Sequence, residues 1–191
     1  MKSNFKSPKP DAVRLLVFDI LQEVNQRGGY SNLLLPSALS DSKFEQRDKG
    51  FATELLYGTL RMQGRHDYIA SQISDRPWSE VDNGIVDVIR LGAHQLFEMR
   101  VATHAAVSET VELARKVLGE SKASFVNAML RKMSARSLDE WMENETLVDF
   151  EVDNLIQRMI KENVISEAKG YTEISSMLEE KKKRRTEAEL D

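Results

Sequence analysis

Cysteine is absent from the 191 residues, and that one absence removes disulfides, thiolate zinc sites, iron–sulfur clusters and thiol nucleophiles together. It also accords with a reducing compartment. Proline occurs only four times, so few helices are forced to stop. The nine glycines are scattered, and neither a Walker A pattern nor G-x-G-x-x-G occurs among them. Long apolar runs are missing as well. Leu15-Leu16-Val17-Phe18 is far too short for a membrane span, and the basic start, with Lys2, Lys6 and Lys9, leads into no apolar segment of the secretory kind. The expectation is a soluble, cytoplasmic protein.

What is present is ample apolar and charged material, 41% hydrophobic and 30% charged. The net charge of −4 conceals an uneven distribution. Residues 1–134 carry 18 Lys+Arg against 16 Asp+Glu, whereas residues 135–191 carry 9 against 15. The acidity belongs to the C-terminal third. A polyanion would have to be held by local clusters of cations rather than by the overall field.

The periodicity is helical throughout, with no convincing alternating strand. A first helix is expected from Pro10, with Val13, Leu16, Val17, Ile20, Leu21 and Val24 along one face and Gly28-Gly29 ending it. A short helix follows, with Ser31 as its candidate cap. Residues 43–63 form another, burying Phe51, Leu55, Leu56, Thr59 and Leu60. Gly64 is expected to break it, and residues 65–73 to continue as a shorter piece. Arg76-Pro77-Trp78 makes a turn, and a helix over 80–99 buries Ile85, Val88, Ile89, Gly92 and Leu96. Gly92 costs about 1 kcal/mol there relative to alanine, which a close helix crossing would offset. Thr103 caps a helix burying Val107, Val111, Ala114 and Leu118 that stops at Gly119. A last core helix, 123–133, carries Phe125, Val126, Met129, Leu130 and Met133. The fold class expected is all-α, a compact bundle of six or seven helices. Beyond it, Ser137 and Glu140 fit a capping box before Trp141. The chain then continues as an additional helical tail ending near the cluster Lys181 to Arg185, which acidic neighbours pair and solvate.

Few residues suit catalysis. His66, His94 and His104 lack the spacing of a helical metal pair, and no nucleophile elbow accompanies them. They read as structural or exposed histidines. Glu109 and Glu112 are i,i+3 neighbours, which is ordinary for a solvated helix face. No catalytic, metal or cofactor site is therefore expected. Basic residues are the better candidates. Lys6, Lys9 and Arg14 lead into the first helix, Arg61 and Arg65 flank Gly64, and Arg131-Lys132 ends the last core helix. Such cations contact phosphates without reading sequence, although near a helix C-terminus they also favour the dipole by roughly 0.3–1 kcal/mol. Phe5, Tyr30, Tyr57 and Tyr68 are not interleaved with them closely enough for stacking, and most are expected in the core.

Two segments carry a family likeness: the helix from His104-Ala105-Ala106-Val107-Ser108-Glu109-Thr110 to Arg115, and Ser124-Phe125-Val126-Asn127-Ala128-Met129-Leu130-Arg131-Lys132. With Gly29-Tyr30-Ser31-Asn32-Leu33-Leu34, Tyr57-Gly58-Thr59-Leu60-Arg61 and Arg90-Leu91-Gly92-Ala93-His94, they resemble the NusB-like N-terminal domain of bacterial ribosomal-RNA cytosine-5 methyltransferases of the Sun/Fmu type. More distantly the chain is similar to the NusB antitermination factors. The resemblance covers about residues 10–142. It implies a helical domain that engages small-subunit ribosomal RNA and precedes a catalytic domain using S-adenosylmethionine and two cysteines. Neither cysteine motif is here, so the chain as it stands is expected to bind rather than to catalyse. The expected organisation is a basic arm over 1–9, the NusB-like domain over 10–142 and an acidic helical tail over 143–191. Expected partners are ribosomal or leader RNA, with a methyltransferase domain in trans or a ribosomal protein beside it, and no membrane. The alternatives are an antitermination factor and a protein-interaction bundle that binds no nucleic acid.

Overall fold

The structure is a computed structural model that describes residues 11–142. The readings made for the arm, with Lys6 and Lys9, and for the tail lie outside the described residues. Within them are seven α-helices and no strand: α1 (Ala12–Arg27), α2 (Ser31–Asp41), α3 (Gln46–Ile73), α4 (Asn83–Phe97), α5 (Thr103–Leu118), α6 (Glu120–Met133) and α7 (Leu138–Met142). One 3-10 turn, Trp78–Glu80, precedes α4. None of these helices is long and apolar enough to cross a membrane.

α4 is the central element, touching α1, α3, α5 and α6. Its sequence explains this, because Ile85, Val86, Val88, Ile89, Leu91 and Ala93 leave it apolar nearly all round. α5 and α6 form a tight antiparallel pair against it, joined by Gly119 with φ of 90°. The close crossing expected at Gly92 is present. A Cβ there would stand 2.6 Å from Leu130 Cδ2 and 3.1 Å from Thr110 Cγ2, so only glycine lets α4 reach α5 and α6.

The main departure is α3, which runs unbroken through Gly64 for 28 residues. Glycine weakens a helix but does not stop it, and Tyr68, Ile69 and Ala70, all buried beyond it, offset its cost of about 1 kcal/mol. The other shifts are at helix ends. Asp11 caps α1, its side chain accepting from Val13 N at 2.9 Å, so the helix starts at Ala12 and not at Pro10. Asp82 caps α4, which therefore starts at Asn83. Ser31 and Thr103 lie inside their helices and serve as no cap, and α6 begins three residues early, at Glu120. The capping box at Ser137 is formed. Its amide donates to Glu140 Oε2 at 2.7 Å while Glu140 N donates to Ser137 Oγ at 3.3 Å. Most expected core positions are buried, but Leu16, Val24, Phe51, Leu60, Leu96, Val107, Leu118 and Phe125 are half-buried.

Polar side chains tie the interior together. Arg90 clasps Asp67 of α3 with bonds of 2.8 and 2.5 Å and reaches Asp87 at 3.1 Å. Asp87 also accepts from Gln22 and Asn25 of α1 at 2.6 and 2.7 Å. Burial nonetheless raises the Asp87 pKa, with Asn25 and Arg90 opposing the rise. His66 and His94 pack edge to face with ring centroids 5.8 Å apart. Both are 1% exposed, and His94 Nε2 sits 3.3 Å from Glu54 Oε1. Neither His66 nitrogen meets a hydrogen-bond partner among the described residues.

Candidate nucleic-acid interface

The α5–α6 pair that packs inward through Ala106, Thr110, Leu113, Val126 and Leu130 turns its other side outward as a groove. The groove encloses about 670 Å³. From α5 it receives His104, Val107, Ser108, Val111, Glu112 and Arg115, at steps of three and four along one face. From α6 it receives Asn127 and Arg131, and from just past its end Ser134, again at helical spacing. The half-buried Val107 and the buried Val111 make an apolar floor between polar walls.

Its two arginines are not equivalent. Arg115 is held by Glu112 on one side and by Glu120 at 2.5 Å on the other. The Arg115 guanidinium in turn holds the Glu120 carboxyl below its ordinary range. Positive charge at this end is already answered by the protein. Arg131 is exposed, and its Nε donates to the neutral Asn127 Oδ1 at 3.2 Å, with no carboxylate at ion-pair distance among the described residues. That bond aims the guanidinium without neutralising it. The arrangement suits an anionic group at Arg131 with a flat, partly apolar body against Val107 and Val111.

A smaller hollow of about 380 Å³ adjoins the groove, sharing Thr103 and Ser134 with it. Leu96, Phe97, Arg136 and Leu138 complete its lining. The combined depression thus runs along α5 and α6 to the start of α7.

Of the candidate cations among the described residues, Arg131 alone lines the groove. Lys132, one residue on and so about 100° round the helix, points elsewhere; its Nζ donates to Ile73 O at 3.2 Å and lies 3.7 Å from Asp75. Arg14 is a correction of place. It is 9% exposed, donates to Gln95 Oε1 at 2.8 Å, pairs with Asp11 and stacks 4.8 Å from the Phe51 ring centroid, so it faces the core and not a ligand. Arg65 is half-buried and pairs with Glu98 at 2.9 Å, fastening α3 to the end of α4. Arg61 is exposed on α3, on the side of His94, whose protonation its charge opposes. The sequence reading missed His104, Ser108, Arg115, Asn127 and Ser134 as site residues. Their signal was available, as a polar stripe of period three to four beside an apolar one on each helix. Tyr30, placed among the expected core aromatics, is 71% exposed instead, at the lightly packed start of α2.

Among the described residues no cluster of three or more His, Asp or Glu side chains is arranged to hold a metal. Comparisons with known proteins agree with the helical architecture. A Mycobacterium tuberculosis protein named as a methyltransferase is 39% identical over 132 residues, covering 69% of this chain and 29% of that protein. Ribosomal RNA small subunit methyltransferase B of Pseudomonas putida is 32% identical over 132 residues, 68% of this chain and 30% of the relative. This chain therefore matches a NusB-like, N-terminal region and spans less than a third of these relatives' length. Among solved structures, T. maritima NusB superposes with a TM-score of 0.59 at 21% identity, covering 69% of this chain and 95% of that one. At that identity the likeness establishes the fold. The family model described as NusB matches residues 11–135, nearly all of the bundle that builds the groove, and the chain belongs to the NusB family.

Proposed function

We propose that this chain is an RNA-binding module of the ribosomal-RNA methyltransferase type, with no catalysis of its own. In this reading it takes small-subunit ribosomal RNA into the α5–α6 groove, in the cytoplasm, and positions it for a methyltransferase domain supplied in trans. The observation that carries the reading is Arg131, the one arginine of the groove that no carboxylate among the described residues answers. A phosphate there replaces water and counterions on a guanidinium that Asn127 already orients. The naming of relatives for small-subunit ribosomal RNA supports the choice of polyanion. The lack of any cysteine in these residues supports assigning the cysteine-dependent chemistry to another domain. Lys6 and Lys9, just ahead of α1, add phosphate contacts of the same sequence-independent kind, and Lys132 and Arg61 contribute at most from outside the groove. Arg14 and Arg65 drop out, being committed to Gln95, Asp11 and Glu98.

The test is RNA binding measured across a salt series. Arg131→Ala is expected to weaken binding about tenfold at low salt, the value of one charge-assisted contact, and to lower the salt slope by about one. Lys132→Ala is expected to do distinctly less. Unchanged affinity and slope for Arg131→Ala would remove the groove from the reading, and no binding even at low salt would leave the protein-interaction bundle. A second reading, an antitermination factor on leader RNA beside a ribosomal protein, is favoured by the 95% coverage of the T. maritima NusB chain. Preference for a leader element over ribosomal fragments decides for it.

A further inference from the structure

We infer that Arg136 is a stacking platform for an unpaired RNA base, a second subsite on the same path as the α5–α6 groove; this rests on the RNA-binding reading above. Arg136 lies just past the residues the family model matches, in the turn between α6 and α7. Its guanidinium carbon sits 4.9 Å from the centroid of the Trp141 ring. Trp141 itself is 7% exposed and anchored, its indole Nε1 donating to Met133 O at 3.0 Å. The reciprocal bonds between Ser137 and Glu140 hold the short segment that carries the indole in place. A buried, fixed indole therefore supports one face of an exposed guanidinium. The plane is ordered before any ligand arrives, which spares the entropy a free arginine would lose.

Two further facts point the platform at a nucleic acid. Arg136 lines the smaller hollow that shares Thr103 and Ser134 with the groove, so a chain leaving Arg131 passes it. Among the described residues its charge is also only loosely answered: Glu140 feels it, yet the Glu140 carboxyl is engaged by Ser137 and forms no ion pair with the guanidinium. A planar cation with one free face accepts the π-face of a base, as arginine and aromatic side chains do for unstacked nucleotides. A paired base presents no such face.

The substitution Arg136→Lys keeps the charge and removes the plane. With the full chain, its affinity for a short oligoadenylate is expected to fall roughly five- to tenfold while the salt slope stays that of the wild type. Its affinity for an RNA duplex of equal length should be unchanged. Arg136→Gln should weaken oligoadenylate binding further and lower the slope by about one. Thermal melting close to that of the wild type shows that Trp141 keeps its seat in both. Oligoadenylate binding by Arg136→Lys equal to the wild type overturns the platform, as does equal loss on duplex. Loss with Arg131→Ala alone defeats only this subsite, whereas no RNA binding by the wild type defeats the functional reading and the platform together.

Discussion

His66 holds an imidazole where no proton is welcome. Burial is the main cause of its pKa being lowered to about 3, and His94, Arg65 and Arg90 add repulsion. His94 is lowered too, by burial, although Glu54 beside it works the other way. A histidine depressed in the folded state binds its proton more readily when unfolded, so its contribution is intact above the ordinary value near 6.5. It is lost as pH falls from there towards 3. For His66 the loss amounts to about 2 kcal/mol by pH 5. Asp87, whose pKa is raised by burial, works in the opposite sense. Urea midpoints at pH 7.5 and pH 5 should therefore separate clearly in the wild type and by much less in His66→Phe. Equal separation in the two would show that His66 is not the group responsible. Nothing in the sequence revealed this pair, because 28 residues separate its members and only the α3–α4 crossing at Gly58 brings them together. A Cβ on Gly58 would stand 2.0 Å from His94 Nε2.

Helices were legible wherever an apolar stripe repeats at three and four, and their ends were legible only where side-chain chemistry is unambiguous. Ser137 with Glu140 is such an end. Residues 80–83 are not, since Glu80 and Asp82 both suit the start of a helix, and the choice falls to Asp82 because its carboxylate meets two amides. It accepts from Gly84 N at 3.0 Å and Ile85 N at 3.4 Å while pairing with Lys122 of α6 at 2.9 Å. The Lys122 bond is the leading reason its pKa lies below the usual range. Asp82→Ala is expected to cost about 1 kcal/mol, seen as a melting point lower by a few degrees. Asp82→Asn keeps most of the cap and should recover most of that loss; equal damage from both would assign the effect to Lys122 instead. Gly64 taught the opposite lesson, since a residue that reads as a break is carried through when tertiary burial on both sides outweighs its propensity.

At the level of the molecule, the all-α class and the family likeness were readable from short motifs, while the grouping of functional cations was not. Arg131 and Lys132 are adjacent in the chain yet face different ways, and Arg14 turned inward because Gln95 and Phe51 await it. A polar knot of Asp67, Asp87 and Arg90 binds α1, α3 and α4 at one point. Arg90→Ala leaves two carboxylates with little exposure and no cation. It is expected to lower the unfolding free energy by about 3–5 kcal/mol, measured by urea denaturation. A loss under 1 kcal/mol would mean that water reaches the site freely. The groove on the far side of α5 and α6 has a lopsided character of its own. Carboxylates gather where Arg115 lies, and the unanswered guanidinium stands at the opposite extremity. A polyphosphate lying lengthwise would meet repulsion at one extremity and attraction at the other, so the trough would grip it at a single point and leave the remainder loosely held.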